Sequence, residues 1–179
     1  MRCNRKPHLV QAVLLLVALI CHFPLAAARE MPSEQSVRAA MVFNFLKFTE
    51  FPPEAIAKSP EIRLCMAVRD ARQAEALAAL AGRKVQGREL IVVDFTTQSA
   101  ECHVFYVDSH QRWNAAAEHL APSRALTISA YPGFARDGGM VEIAIQTDGA
   151  RFDINLAEGR RAGLRFSPQL LRLARLIHE

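Results

Sequence analysis

The residues able to do chemistry in this chain are few and scattered. There are four cysteines and six histidines, and His103, His110, His119 and His178 are the histidines beyond the first 28 residues. No two of these share a helical or strand face with a carboxylate or thiolate, as a zinc site requires. Each reads as a surface or boundary histidine. Nothing in the sequence reads GxGxxG, GxxxxGK, GxSxG or HExxH, so the common nucleotide-binding, serine-hydrolase and zinc-protease chemistries lack their motifs. The chain is read as a non-enzyme, with no catalytic residue, metal or cofactor assigned. The remaining polar candidates are Asp70, Asp108 and Ser109, which fall just after predicted strands and just before predicted helices. Short polar residues there cap the following helix, and in an open parallel sheet the same positions line a ligand crevice.

The cysteines take their meaning from the N-terminus. Arg2, Arg5 and Lys6 form a basic region, an apolar run follows over residues 9–20, and Ala26, Ala27 and Ala28 supply small residues for cleavage before Arg29. This predicts a signal peptide over residues 1–28 and one exported domain over 29–179. The run is short for a membrane span, and Ile20 before Cys21 does not suit lipid attachment. The leader holds three of the 22 Lys and Arg and none of the 18 Asp and Glu, so the rest of the chain has a formal charge of only +1. The basic balance therefore makes no case for nucleic acid. Cys3 and Cys21 leave with the leader, and Cys65 and Cys102 remain in an oxidising compartment, where they are expected to form one disulfide joining two strands. A static bridge is favoured over a redox switch, because no CxxC motif lowers a thiol pKa.

Behind these residues lies an α/β rhythm. Ser33 caps a helix that Pro52 and Pro53 stop, and Val37, Met41 and Phe48 share one face of it with Asn44 in the middle, while Phe43, Phe45 and Leu46 cover the others. A helix apolar on several sides is sandwiched in a core or buried in a homodimer, and Asn44 is read as a buried amide tied to neighbouring backbone. Strands are predicted over 62–68, 89–95, 103–107 and 125–129, with helices over 71–81 and 111–120. Trp113, on the second of these helices, is expected to anchor the core. The fold class is therefore α/β, a single mixed sheet flanked by helices.

The chain closes with an antiparallel hairpin and a helix. If Asp148 and Gly149 form a type I′ loop, Ile145 pairs with Phe152, Ile143 with Ile154 and Val141 with Leu156. Glu142, Ala144 and Gln146 then face Asn155, Asp153 and Arg151. Ser167 caps the helix with Pro168 in its first position, and Leu170, Leu173, Ala174 and Ile177 make its sheet-facing stripe. Leu171 and Leu176 flank that stripe beside Arg172 and Arg175, with Leu164 and Phe166 just upstream around Arg165. Apolar groups left over among arginines make a candidate partner-binding edge.

Three segments, VRAAMVFNFLKFTEFP, IRLCMAV and GFARDGGMVEIAI…RFDINLAEGRRAGLRFSPQLLRLARLI, together resemble the YfiR-type periplasmic proteins from about Val37 to Ile177. The resemblance implies a regulator that binds the periplasmic part of an inner-membrane diguanylate cyclase and holds it inactive, linking envelope or redox stress to cyclic di-GMP and biofilm formation. It implies that Leu164, Arg165, Phe166, Pro168 and Leu171 dock on that partner, and Cys65 and Cys102 match the family's inter-strand disulfide. Where some relatives carry a second cysteine pair, around GFARDGGMVEI, this chain has none. The alternative is a small-ligand sensor for another membrane signalling protein, with its crevice near Asp70, Asp108 and Ser109.

Overall fold

A computed structural model describes residues 32–56, 59–96, 101–120 and 124–179, and the expected signal peptide lies outside them. Residues 32–179 form one compact unit. In chain order the elements are α1 (Glu34–Lys47), β1 (Thr49–Glu50), α2 (Pro53–Ile56), β2 (Glu61–Ala67), α3 (Ala71–Ala78), β3 (Lys84–Val85), β4 (Arg88–Asp94) and β5 (Val104–Val107). Then come α4 (His110–Leu120), β6 (Leu126–Ser129), β7 (Val141–Gln146), β8 (Gly149–Asn155), α5 (Leu156–Arg161), β9 (Arg165–Phe166), α6 (Pro168–Leu173) and β10 (Leu176–His178). No helix among the described residues is long and apolar enough to cross a membrane.

Eight strands make one mixed sheet in the order β10-β8-β7-β6-β5-β2-β4-β3. The middle is parallel, with β2 against β4 and β5, and β5 against β6. Strands buried on both faces must send alternate side chains into two separate cores. On β5, Val104 and Tyr106 enter one cluster and Phe105 and Val107 the other. The first cluster lies under α1 and α3, with Val42, Phe45, Leu46 and Leu77. The second lies under α4, with Trp113, Ala116 and Leu120, and contains the Cys65–Cys102 disulfide. The crossover from β2 to β4 through α3 thus runs over one face and that from β5 to β6 through α4 over the other.

Local chemistry explains where the helices begin. The Ser33, Asp70, Asn155 and Ser167 side chains each accept a backbone N–H of the first helical turn that follows. The buried stripe of α1 is Ala39, Val42, Phe45 and Leu46, so within the domain the helix packs through one face rather than being sandwiched, and Asn44 is exposed on the opposite side. Its expected burial is corrected by phase: at 3.6 residues per turn the stripe through Val42 and Leu46 leaves position 44 facing away. His103 is likewise buried rather than superficial, 7% exposed. Its Nδ1 accepts the Arg63 N–H at 3.0 Å, so the ring proton sits on Nε2 and is given to the Ala55 carbonyl at 3.2 Å. Burial, offset in part by the Ala55 hydrogen bond, pushes the His103 pKa below its ordinary value.

The hairpin register differs from the expected one by two residues. Val141 pairs with Ile154, Ile143 with Phe152 and Ile145 with Ala150, and Glu142 faces Asp153. The loop is Thr147-Asp148, and only Gly149 takes a positive φ, +129°. A type I′ loop at Asp148-Gly149 would force Asp148 into the left-handed region, whereas this arrangement leaves that conformation to glycine alone. A shift of two keeps every side chain on its expected face.

After Ser167 the helix stops at Leu173 instead of running to Ile177. Ala174 turns extended, at ψ 139°, and Leu176–His178 pair in parallel with β8. The outer edge of β8 would otherwise present unpaired N–H and C=O groups, and capturing the chain end satisfies them. Arg175 fastens the junction: its N–H donates to the Phe152 carbonyl, and its guanidinium makes two bonds of 2.8 and 2.6 Å to the Asp153 carboxylate.

Two outcomes are expected of the purified protein. Cys65→Ser should cost roughly 2–5 kcal/mol of unfolding free energy, as loss of a native disulfide usually does, and thiol titration of the unreduced native protein should find neither Cys65 nor Cys102 free. Because the folded His103 resists protonation, the unfolded chain binds more protons below about pH 6.5. Its contribution is present above the unfolded pKa and lost as pH falls through the folded one, so His103→Gln should flatten the acid limb of a melting-temperature profile.

Candidate partner-binding edge and ligand cavities

The proposed edge residues do not stay together on the surface. Leu164 and Phe166 are 2% and 6% exposed and belong to the core under α1. Their expected exposure is corrected by the short ladder between β1 and β9, which pairs Thr49 with Phe166 and Glu50 with Arg165 and turns alternate side chains inward and outward. Phe166 packs against α5, where a Cβ on Gly159 would come within 2.5 Å of its ring. Arg165, Pro168 and Arg172 are exposed, and Leu171 is half-buried. Arg175 is committed to Asp153.

Of the exposed apolar groups at this end, Leu176 was expected to flank the edge and Leu173 was expected to be buried. Leu173 and Leu176 are 65% and 50% exposed, the large hydrophobics most open to solvent among the described residues. Helical spacing assigned Leu173 to the buried stripe, but it ends the helix exposed, just before the chain turns extended at Ala174. Both leucines flank that break beside β10, the sheet's outermost strand, with Arg172 next to Leu173. One element end therefore offers apolar contact, cationic groups and a free strand edge.

The polar candidates at the strand ends are divided. Asp70 is occupied by the cap of α3 and by Gln35, whose Nε2 donates to it at 3.2 Å. Those hydrogen bonds, the Gln35 one foremost, hold its carboxyl below the usual range. Asp108 and Ser109 line a cavity of about 450 Å³ with Arg69, Gln111 and Arg112, at the carboxyl ends of β2 and β5 where the two crossovers part. One oxygen of Asp108, Oδ2, accepts the Arg69 N–H there, while Oδ1 lies 3.3 Å from the Arg112 guanidinium without a hydrogen bond.

The segment 131–139 is built as a shelf on the polar underside of the hairpin. Glu142, 9% exposed, accepts the Gly133 and Ala135 N–H groups, both at 3.1 Å. Asn155 donates to the Ala135 carbonyl at 2.8 Å, and the Trp113 indole to the Asp137 carbonyl at 3.0 Å. Glu142 and Asp153 face each other across the strand pair, a repulsive arrangement by itself. Backbone donors satisfy the first carboxylate and Arg175 the second. Among the described residues, no three His, Cys, Asp or Glu side chains gather as a metal would need.

Comparison with known proteins places this arrangement. A search of curated proteins finds no match. Among solved structures, a conserved domain protein from Vibrio cholerae is similar at 12% identity, over 81% of this chain and 60% of that one, with a TM-score of 0.48. The chain therefore spans less than two thirds of that relative's length. The profile of the YfiR/HmsC-like family matches residues 35–175, from the first helix to the arginine that locks the last strand. The protein belongs to the YfiR/HmsC-like family.

Proposed function

We propose that this protein is exported, with its leader cleaved near Ala28, and holds an inner-membrane diguanylate cyclase inactive by binding the cyclase's periplasmic sensor domain. Cyclic di-GMP, and biofilm formation with it, would then rise when the complex is broken. The observation that carries this reading is the exposure of Leu173 and Leu176 at the outer edge of the sheet. Exposed leucines flanked by the exposed Arg172 match the usual anatomy of a docking patch, in which an apolar centre excludes water and a polar rim sets orientation. Leu171, Arg172, Pro168 and Arg165 extend the patch, and Leu164 and Phe166 support it from inside.

Co-purification from detergent-solubilised membranes tests the partner: the wild-type protein should retain a GGDEF-type membrane protein, and its absence counts against the reading. Leu173→Asp should cost less than about 0.5 kcal/mol of stability, as exposed positions do. A carboxylate in a desolvated contact should still weaken association by roughly 2 kcal/mol, about thirtyfold. Phe166→Asp makes the contrasting case, since a charge forced into the core should collapse the melt. A Leu173→Asp protein that melts normally, keeps the cyclase and leaves cyclic di-GMP low would refute the patch.

A further inference from the structure

A second cavity, of about 460 Å³, lies between α4 and α5 and is lined from both cores, with Trp113, Leu120 and Ala125 from the one under α4 and Met140 from the one under α1. It occupies the place where β6 and β7 diverge, because these strands pair only at Ile128–Val141 and Ser129–Glu142. Its volume falls in the range of ordinary small-molecule sites. Trp113, Leu120, Ala125 and Met140, all less than a tenth exposed, contribute its apolar wall. The Trp113 indole N–H is already given to Asp137, so the ring offers only carbon surface.

The polar lining is unbalanced in sign. Arg124 and Arg161 contribute two guanidinium groups against the single carboxylate of Glu158. Arg161 is paired with Glu158 at 2.7 Å, and Arg124 with Glu54, which does not line the cavity. Both arginines are largely exposed, 70% and 49%, so these are surface pairs that a better-placed anion can displace at little cost. The cavity around Asp108 and Ser109 lacks this combination, since its lining is polar apart from Ala115.

We propose that the cavity between α4 and α5 binds a small amphipathic carboxylate, with its apolar body against Trp113, Leu120 and Met140 and its anionic group between Arg124 and Arg161. The guanidinium fork suits a carboxylate in particular, since two parallel N–H groups meet its two oxygens. Nothing in this site depends on which membrane protein the outer edge binds.

Trp113 is the protein's single tryptophan, so its emission reports on the cavity without labelling. Octanoate titrated into the full-length exported protein should give a saturable change, with octanol and octylammonium binding at least about tenfold more weakly. Arg161→Ala combined with Arg124→Asn should bring octanoate down to the octanol level; asparagine is chosen because position 124 holds φ +52° and tolerates few other side chains. Ala117→Phe should fill the cavity and abolish the response to both, with a near-native melt confirming the fold. The proposal is overturned by an octanoate response that does not saturate, by octylammonium binding as tightly as octanoate, or by an Ala117→Phe protein that melts normally and still binds.

Discussion

The structure depends on one constraint, that the parallel strands β2, β5 and β6 are buried on both faces. Neighbouring residues on each must therefore serve different cores, and a slip of one residue would exchange Phe105 with Tyr106 and place Cys65 among the leucines under α1. The Cys65–Cys102 disulfide, with Cα atoms 5.7 Å apart, sits on the α4 side and ties β2 to the segment entering β5 at this central pairing. His103 adds a second tie one residue later, from β2 to the carbonyl of Ala55. The β2–β5 pair is thus fixed by hydrophobic sorting, a covalent bond and a shared imidazole.

Much of this frame was legible in the sequence, because it rests on local rules. Ser33 and Ser167 followed by helical patterns, and apolar runs alternating with amphipathic ones, read correctly since each is decided within a few residues. What escaped was decided by distant partners. Leu173 and Ile177 have helical spacing, yet β8 draws residues 176–178 into the sheet. Leu164 and Phe166 look like surplus apolar groups beside arginines until β1, far away in sequence, pairs with β9 and turns them inward. The hairpin missed by two residues because a glycine can close a turn from either of two positions, and periodicity is blind to a shift of two.

The candidate site was legible in kind more than in place. Arginines and leucines near the end of the chain pointed to a docking edge; of its apolar candidates Phe166 and Leu164 are buried and Leu176 is exposed, together with Leu173, which helical spacing had assigned to the buried stripe. Arg175 illustrates the same difficulty: an arginine beside exposed leucines resembles a contact residue, but Asp153, 22 positions upstream, claims it for the fold. The cavity between α4 and α5 left no motif at all, since it arises where two strands diverge and two helices from separate parts of the chain cover the gap.

The β1–β9 ladder also bears on the order of assembly. Its two halves lie at opposite ends of the domain, with the Ser167 N–H reaching back to the Phe48 carbonyl, and Phe45 on α1 packs edge-on against Phe152 at 5.0 Å. The β2–β4 and β5–β6 crossovers can form from nearby segments, but α1 has no complete bed until the last elements arrive. Closing so long a loop comes late, because its entropy must be lost before the contacts repay it. Until then the apolar face of α1 stays uncovered, so the folding chain passes through a stage in which it is prone to self-association.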